Sequence, residues 1–258
     1  MPVAGIDVGS LTAEVVIMEK GEIKQYVILP TGSNSKTAAE RAMQEALQAS
    51  NLDRADLDCI IATGYGRISI DFADKKVTEI TCHGRGAYYW NDDIRTIIDI
   101  GGQDSKVIRL NDRGRVVDFA MNDKCAAGTG RFLEVMAQTL EVELEDLADL
   151  SEKAKEVVSI SSMCTVFAES EVVSLIARGL PREDIARGLH RSVADRTAGL
   201  VHRVGLMEKV MFTGGVAKNQ AMIRALNEKL KTNLIIPPEP QIAGALGAAI
   251  LAAEERAK

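Results

Sequence analysis

The sequence predicts an α/β protein made of two similar halves that flank one cleft. A strand–turn–strand motif occurs twice, as GIDVGSLTAEVVI at residues 5–17 and as IIDIGGQDSKVI at residues 97–108. Each copy continues into a further turn and strand and then into helical segments. Residues 6–9 align with residues 98–101, which favours a duplication. The alternative is a chance similarity between two amphipathic hairpins, because such periodicity is common.

The remaining elements of the first half follow from their patterns. KGEIKQYVIL at residues 20–29 predicts a third strand, and DCIIAT at residues 58–63 predicts a fourth. SKTAAERAMQEALQAS at residues 35–50 predicts a helix, because its apolar residues recur at helical spacing. The apolar stripe of this helix consists of Ala39, Ala42, Met43, Ala46 and Leu47.

The second half repeats this order. DRGRVVDFAM at residues 112–121 predicts the third strand, and GRFLEVMAQTL at residues 130–140 predicts a helix. Another helix follows Cys164 and ends near Gly179, with Pro181 beyond it. VMFTGGVAKN then predicts a short strand, a glycine turn and the start of a helix.

Composition and charge exclude several classes of protein. The 258 residues carry a formal net charge of −6 with no basic run, so binding to nucleic acid or to an anionic membrane is not expected. The longest apolar stretch, residues 243–253, is too short to span a bilayer. No secretory signal is visible at the start, and we expect a cytoplasmic protein.

The four cysteines lie at positions 59, 82, 125 and 164 without a CxxC pair. This spacing argues against a disulfide scaffold, a zinc ribbon and a thioredoxin-type site. Inert buried thiols, a catalytic thiol and long-range metal ligands remain open.

Glycine turns after the first strand of each half predict phosphate binding. Gly9, Gly101 and Gly102 carry no side chain, so backbone amides can converge on an anion at each turn. Asp7 and Asp99 precede these turns and could hold a hydrated Mg²⁺ that bridges to phosphate oxygens. Further hydroxyl and amide contacts could come from Ser10, Thr12 and Gln103.

A third glycine turn follows the strand at residue 210. Gly214 and Gly215 would let the backbone lie flat against an adenine or a ribose, although a plain helix-opening loop is the alternative. The sequence contains no G-x-x-x-x-G-K-[ST] motif, which excludes a P-loop protein.

In this order, the three turns resemble the phosphate-1, phosphate-2 and adenosine segments of the actin, heat-shock chaperone and sugar kinase ATPase superfamily. The resemblance implies two duplicated ribonuclease H-like (actin-type) ATPase domains around ATP or ADP, comprising residues 1–94 with 243–258, and residues 95–242. QIAGALGAAILAA resembles the small-residue connecting helix of that superfamily. The resemblance also assigns to nucleotide binding Gly128, Gly130, Lys218 and Ala243.

Two cysteines precede predicted helices, where amide groups and the helix dipole stabilise anions such as thiolates. Cys125 lies in MNDKCAAGTGRFLE and Cys164 in SISSMCTVFAESEV. A cubane iron–sulfur cluster needs four thiolates, which a two-fold dimer would supply. The alternative is two unrelated buried thiols. Cys59 is predicted to be a core thiol, and Cys82 either packs beside His83 or binds a metal.

The segments NDKCAAGTGRF, SMCTVFAESEV, ATGYGR, DIGGQDSK and FTGGVAKN resemble the activator components of 2-hydroxyacyl-CoA dehydratases, which are related to the ATPase subunits of benzoyl-CoA reductase. These segments are most similar to those of the activators of 2-hydroxyglutaryl-CoA dehydratases. The resemblance implies an oxygen-sensitive homodimer with one 4Fe–4S cluster, held by Cys125 and Cys164 of both chains. ATP hydrolysis would drive one electron to the dehydratase, and reduced flavodoxin or ferredoxin would be the donor.

Catalytic residues are predicted at the second turn, where Gln103 and Asp104 would position the attacking water. Two alternatives remain: a small-molecule kinase of the same superfamily and an actin-like assembly module. In both alternatives the cysteines would have no functional role.

Overall fold

A computed structural model of the chain describes residues 1–122, 126–161 and 164–256. The chain forms two compact units. The first unit comprises Met1–Ile97, Ile108–Phe119 and Pro237–Lys258, and the second comprises Ile98–Val107 and Ala120–Ile236. The domain boundaries drawn from the sequence stay a prediction.

The first unit contains a five-stranded sheet in the order β3-β2-β1-β4-β5. Strand β1 pairs antiparallel with β2 and parallel with β4, and β2 pairs antiparallel with β3. This confirms the predicted meander and the fourth strand, which begins two residues later than expected. The strands are β1 (Val3–Val8), β2 (Thr12–Glu19), β3 (Glu22–Pro30), β4 (Ile60–Thr63) and β5 (Lys75–Lys76).

Helix α1 (Ser35–Ser50) has the predicted bounds. Its start is capped by Asn34, whose side-chain oxygen accepts a hydrogen bond from the amide of Thr37 at 3.1 Å. The predicted apolar stripe is buried against β1 and β2, which confirms the amphipathic pattern.

Small residues allow the last helix to lie against the first strand. Helix α8 (Ala243–Arg256) packs on β1 and on α2 (Glu79–Trp90). A Cβ atom on Gly5 would overlap the backbone of Ala245, and one on Gly247 would overlap the backbone of Cys82. The backbones are therefore in direct contact, as the small-residue pattern of the connecting helix predicts.

The second sheet has the strand order β8-β7-β6-β9. This order repeats β3-β2-β1-β4 of the first sheet, as a duplicated chain requires. The strands are β6 (Thr96–Ile100), β7 (Ser105–Leu110), β8 (Val116–Asn122) and β9 (Val210–Thr213).

Five helices belong to the second unit, and their apolar faces share one core with the sheet. The helix predicted at residues 130–140 ends one residue earlier than expected. The helices are α3 (Gly130–Thr139), α4 (Leu147–Glu152), α5 (Thr165–Ala177), α6 (Arg182–Val204) and α7 (Gln220–Leu230). Within the described part of the chain, no helix is both long and apolar enough to cross a membrane.

Candidate functional site

The first glycine turn joins β1 to β2. The amide of Gly9 donates to the carbonyl of Thr12 at 2.9 Å, which closes the turn. The hydroxyl of Thr31 donates to the carbonyl of Gly9 at 3.0 Å and fixes the turn to the end of β3. Ser10 and Thr12 are both half-buried, so their hydroxyls lie at the rim of the turn.

The second glycine turn joins β6 to β7 and closes in the same way. The amide of Gly101 donates to the carbonyl of Asp104 at 3.0 Å, at the positions that align with Gly9 and Thr12. The two turns therefore share the same closing hydrogen bond, which confirms the alignment of the repeats at these positions.

The second turn is also bonded to the start of α3. The carbonyl of Gly101 accepts from the amide of Gly130 at 2.9 Å, and the carbonyl of Gly102 accepts from the amide of Arg131 at 2.8 Å. These donors are among the first amides of α3, which have no partner inside the helix. A shift of the turn would therefore move the beginning of this helix.

A buried lysine connects the acidic residues of the second turn. The ammonium of Lys106 lies 3.2 Å from Asp99 Oδ1 and 2.7 Å from Asp104 Oδ2. The hydroxyl of Thr213 donates to Asp99 Oδ2 at 2.8 Å. Lys106 is 4% exposed and Asp99 2% exposed, so solvent screens this pair little. Both oxygens of Asp99 are thus engaged by the protein.

Asp7 has a different setting from that of its counterpart Asp99. It is buried, and its Oδ2 lies 3.7 Å from His83 Nε2. Gly64 and Gly244 lie so close that a Cβ on either would overlap the Asp7 carboxylate. The first turn therefore positions its carboxylate by close packing and a histidine, whereas the second uses a lysine.

Two Thr-Gly pairs repeat between the halves, which the sequence analysis did not recognise. Gly64 follows β4 and Gly214 follows β9, with φ angles of 82° and 86°. Each glycine packs against the backbone of the strand that carries the neighbouring acid, and each leads into a short 3₁₀ helix. The signal was present as TGYG at residues 63–66 and TGGV at residues 213–216.

The other predicted site residues divide between the units. Gly128 has a φ of 87°, and its carbonyl accepts from the hydroxyl of Ser105 at 2.6 Å. Gly215, Lys218 and Gln103 are exposed in the second unit, and Ala243 is buried at the start of α8 in the first.

Cys164 lies at the N-terminus of α5, as predicted. Cys164 is exposed, and its backbone carbonyl accepts a hydrogen bond from the amide of Ala168 at 2.8 Å. Val166, Phe167 and Val173 on the same helix are 66%, 68% and 54% exposed. An apolar face therefore adjoins this cysteine. Cys125 lies outside the described residues.

The other two cysteines are core residues. Cys59 is 7% exposed, which confirms the predicted core thiol. Cys82 is fully buried, and burial raises its pKa to about 12. A thiol that stays protonated is a poor metal ligand, so the packing interpretation is favoured. Across the part of the chain that the structure describes, no group of three His, Cys, Asp or Glu side chains could hold a metal ion.

A family model, the BadF/BadG/BcrA/BcrD ATPase family, matches residues 4–252. The chain belongs to this family. The activator of lactoyl-CoA dehydratase from Anaerotignum propionicum is 50% identical to it over 255 residues, which cover 98% of each chain.

Solved structures agree with this assignment. Component A of the Acidaminococcus fermentans (R)-2-hydroxyglutaryl-CoA dehydratase has a TM-score of 0.96 at 45% identity and covers both chains fully. The activator of the 2-hydroxyisocaproyl-CoA dehydratase from Clostridium difficile, solved with bound ADPNP, has a TM-score of 0.93 at 44% identity, covering 99% of this chain and 95% of that one.

The fold extends to more distant proteins. The ROK hexokinase from Thermus thermophilus has a TM-score of 0.55 at 17% identity, covering 99% of this chain and 100% of that one. This likeness concerns the fold alone. Together with the repeated sheet order, it confirms the predicted α/β architecture of two ribonuclease H-like domains of the actin type.

Proposed function

We propose that this family member is an ATPase that activates a 2-hydroxyacyl-CoA dehydratase by transferring one electron to it from a 4Fe–4S cluster. The observation that carries the proposal is the direct bonding between the second glycine turn and the start of α3. That helix follows, in the sequence, the segment that contains Cys125. These hydrogen bonds support a connection between the turn proposed to bind the nucleotide and the segment proposed to bind the cluster.

The class of partner rests on the similar proteins. Three of the similar proteins are named as activators or components of lactoyl-CoA, 2-hydroxyglutaryl-CoA and 2-hydroxyisocaproyl-CoA dehydratases. They are 50%, 45% and 44% identical to this chain. Because these identities are so similar, the proposal covers 2-hydroxyacyl-CoA dehydratases as a class. Reduced flavodoxin or ferredoxin is proposed as the electron donor.

The two glycine turns fit a nucleotide. Gly9 and Gly101 have no Cβ, and each turn is closed by its own backbone bond, so a phosphate can approach a preformed loop. When Mg²⁺ is bound, it would neutralise phosphate charge. Asp7 is proposed to order its water ligands, with Ser10 and Thr12 adding hydroxyl contacts.

The remaining predicted residues have separate roles in this proposal. Gly214 and Gly215 would lie against the adenosine, with Lys218 beside them. Gln103 is exposed at the tip of the second turn and would orient the attacking water. Asp104 is held in place by its ion pair with Lys106 and would accept a hydrogen bond from that water.

Coupling to the cysteine segment follows from the same contacts. The carbonyls of Gly101 and Gly102 hold the first amides of α3. A turn that changes position between the ATP and ADP states would shift these two donors and with them residues 126–130. Differential contacts with the two nucleotides would supply the free energy for this change.

The exposed end of α5 fits a cluster shared by two copies of the chain. When bound, a 4Fe–4S cluster would supply the one-electron carrier. Cys164 offers one exposed thiol at a helix N-terminus, where an anionic ligand is stabilised. The neighbouring apolar residues Val166, Phe167 and Val173 would be covered in a homodimer. Cys125 is proposed as the second ligand of each chain.

Anaerobic reconstitution tests the cluster. Iron analysis and EPR of the reduced protein should give about one cubane per dimer. Cys164→Ala should abolish the cluster signal, whereas Cys59→Ala, which removes a buried core thiol, should keep it. A full signal in the Cys164 variant would contradict the proposal. Calorimetry with MgADP tests the nucleotide site separately, and a colourless protein would favour the kinase alternative.

A further inference from the structure

A cavity of about 600 Å³ lies in the second unit among α4, α6 and α7. Its described lining contains none of the residues proposed to bind the nucleotide or the cluster. A cavity of this volume is in the range that accommodates a small organic molecule. It is therefore a candidate for a second ligand site.

The lining of the cavity is predominantly positive. Four cationic side chains line it, and Glu152 and Glu228 are its only described carboxylates. Glu152 pairs with Arg224, and Lys229 pairs with Asp195, which lies outside the lining. Arg187 and Arg191 lie about one helical turn apart on α6, and both contribute guanidinium groups to the lining. The excess of positive charge favours an anion, and guanidinium groups bind carboxylates and phosphates with paired hydrogen bonds.

His190 belongs to the same lining. The side chain is 1% exposed, and its Nδ1 lies 2.9 Å from the carbonyl oxygen of Ala186. A carbonyl only accepts, so Nδ1 must carry the hydrogen and Nε2 must be an unprotonated acceptor. Burial lowers the pKa of His190 to about 4, which keeps this tautomer neutral at pH 7. Nε2 has no hydrogen-bond partner among the described residues.

A buried acceptor without a donor is costly, and most such atoms have a partner in the functional state. A group that satisfies Nε2 has to donate a hydrogen bond, and the guanidinium groups of the lining that are unpaired among the described residues favour an anion that carries such a donor. Arg224 lies close enough to disfavour a charge on His190. Its exposed pair with Glu152 is of a weak kind, so the side chain can move aside to admit a ligand.

We infer that this cavity binds a hydroxylated organic anion. Its carboxylate or phosphate pairs with Arg187 and Arg191, and its hydroxyl donates to His190 Nε2. The inference goes beyond the proposed ATPase function and does not depend on it, because neither nucleotide nor dehydratase takes part in the binding.

Calorimetry on the full-length protein without nucleotide tests this site with matched ligands. Lactate and 2-hydroxyglutarate carry a hydroxyl donor where pyruvate and 2-oxoglutarate carry only an acceptor. We expect the hydroxy acid of at least one pair to bind about tenfold or more tightly than its oxo analogue. Glycerol 3-phosphate and inorganic phosphate distinguish a hydroxylated phosphate ester from a hydroxycarboxylate.

Three variants assign the binding to the cavity. His190→Leu should remove the preference for the hydroxylated ligand, and Arg187→Gln should weaken binding of every anion. Arg203→Gln, an exposed change in the last turn of the same helix, should leave binding unchanged. Circular dichroism confirms that each variant is folded.

Four results would overturn the inference. The first is equal binding of hydroxy and oxo acids, and the second is unchanged binding in both cavity variants. The third is complete displacement of the ligand by MgADP, which would place the cavity within the nucleotide site. The absence of saturable binding for all six probes at millimolar concentration would also reject it.

Discussion

Replacing Lys106 by methionine should strongly destabilise the second unit. Methionine has a similar length and no charge, so the change removes the ammonium but keeps most of the packing. Asp99 is 2% exposed and would lose the cation 3.2 Å from its Oδ1, and Asp104 would lose its partner at 2.7 Å. Two carboxylates would then lie near each other without the ammonium that pairs with both.

The magnitude follows from the burial of the pair. Removing one partner of a buried ion pair costs about 3–5 kcal/mol, because the remaining charge is left in a poorly solvated site. Thr213 still donates to Asp99 Oδ2, and Asp104 is partly exposed, which offsets some of this cost. We therefore expect a loss of about 3 kcal/mol in the free energy of unfolding.

Urea unfolding followed by circular dichroism measures this difference. Lys24→Met is the control, because its pair with Glu19 is exposed and contributes only about 0.2–1 kcal/mol. The double variant Lys106→Met/Asp99→Asn should be less destabilised than the two single changes predict, since it removes the uncompensated charge. If Lys106→Met costs no more than Lys24→Met, the interpretation of the network as a buried ion pair is wrong.

Three further predictions concern other parts of the fold. Gly214→Ala should lower the free energy of unfolding in urea by about 3 kcal/mol, because the new Cβ would overlap the backbone of Ile100. Gly179→Ala is the control: its new Cβ meets only open space, so the loss should be about 1 kcal/mol. His190 is held neutral with a pKa near 4, below its unfolded value, so the unfolding free energy should fall by about 2 kcal/mol as the pH drops from 7 to 5, and His190→Leu should flatten that slope. Phe167→Ser should weaken the proposed homodimer in sedimentation experiments, and an unchanged dimer would exclude α5 from the interface.

Much of the fold could be predicted because its signals are local. The alternation of apolar residues placed the strands, and the stripe in residues 35–50 gave α1 its observed bounds. The aspartate–glycine turns could be found because the required conformations restrict the residue type. The aligned bonds at Gly9 and Gly101 confirm that the two halves repeat in detail.

The parts that escaped prediction depend on contacts between distant segments. Lys106 looks like an ordinary polar residue in a strand, and nothing local indicates that its ammonium lies between two carboxylates. The cavity around His190 is formed by helices far apart along the chain, so no window of sequence contains it. The Thr-Gly repeat was visible in the sequence but could be interpreted only once the strand order placed both pairs beside the acidic residues.

The contact between α8 and β1 affects the order in which the protein can fold during synthesis. Gly5 lies near the start of the chain, yet the backbone that covers it, at Ala245 and Ala249, is translated only after the whole second unit. The second unit can therefore complete its core on the ribosome while β1 still lacks its covering helix. N-terminal domains commonly fold first. In this chain, β1 is synthesised first but is covered only after α8 has been synthesised.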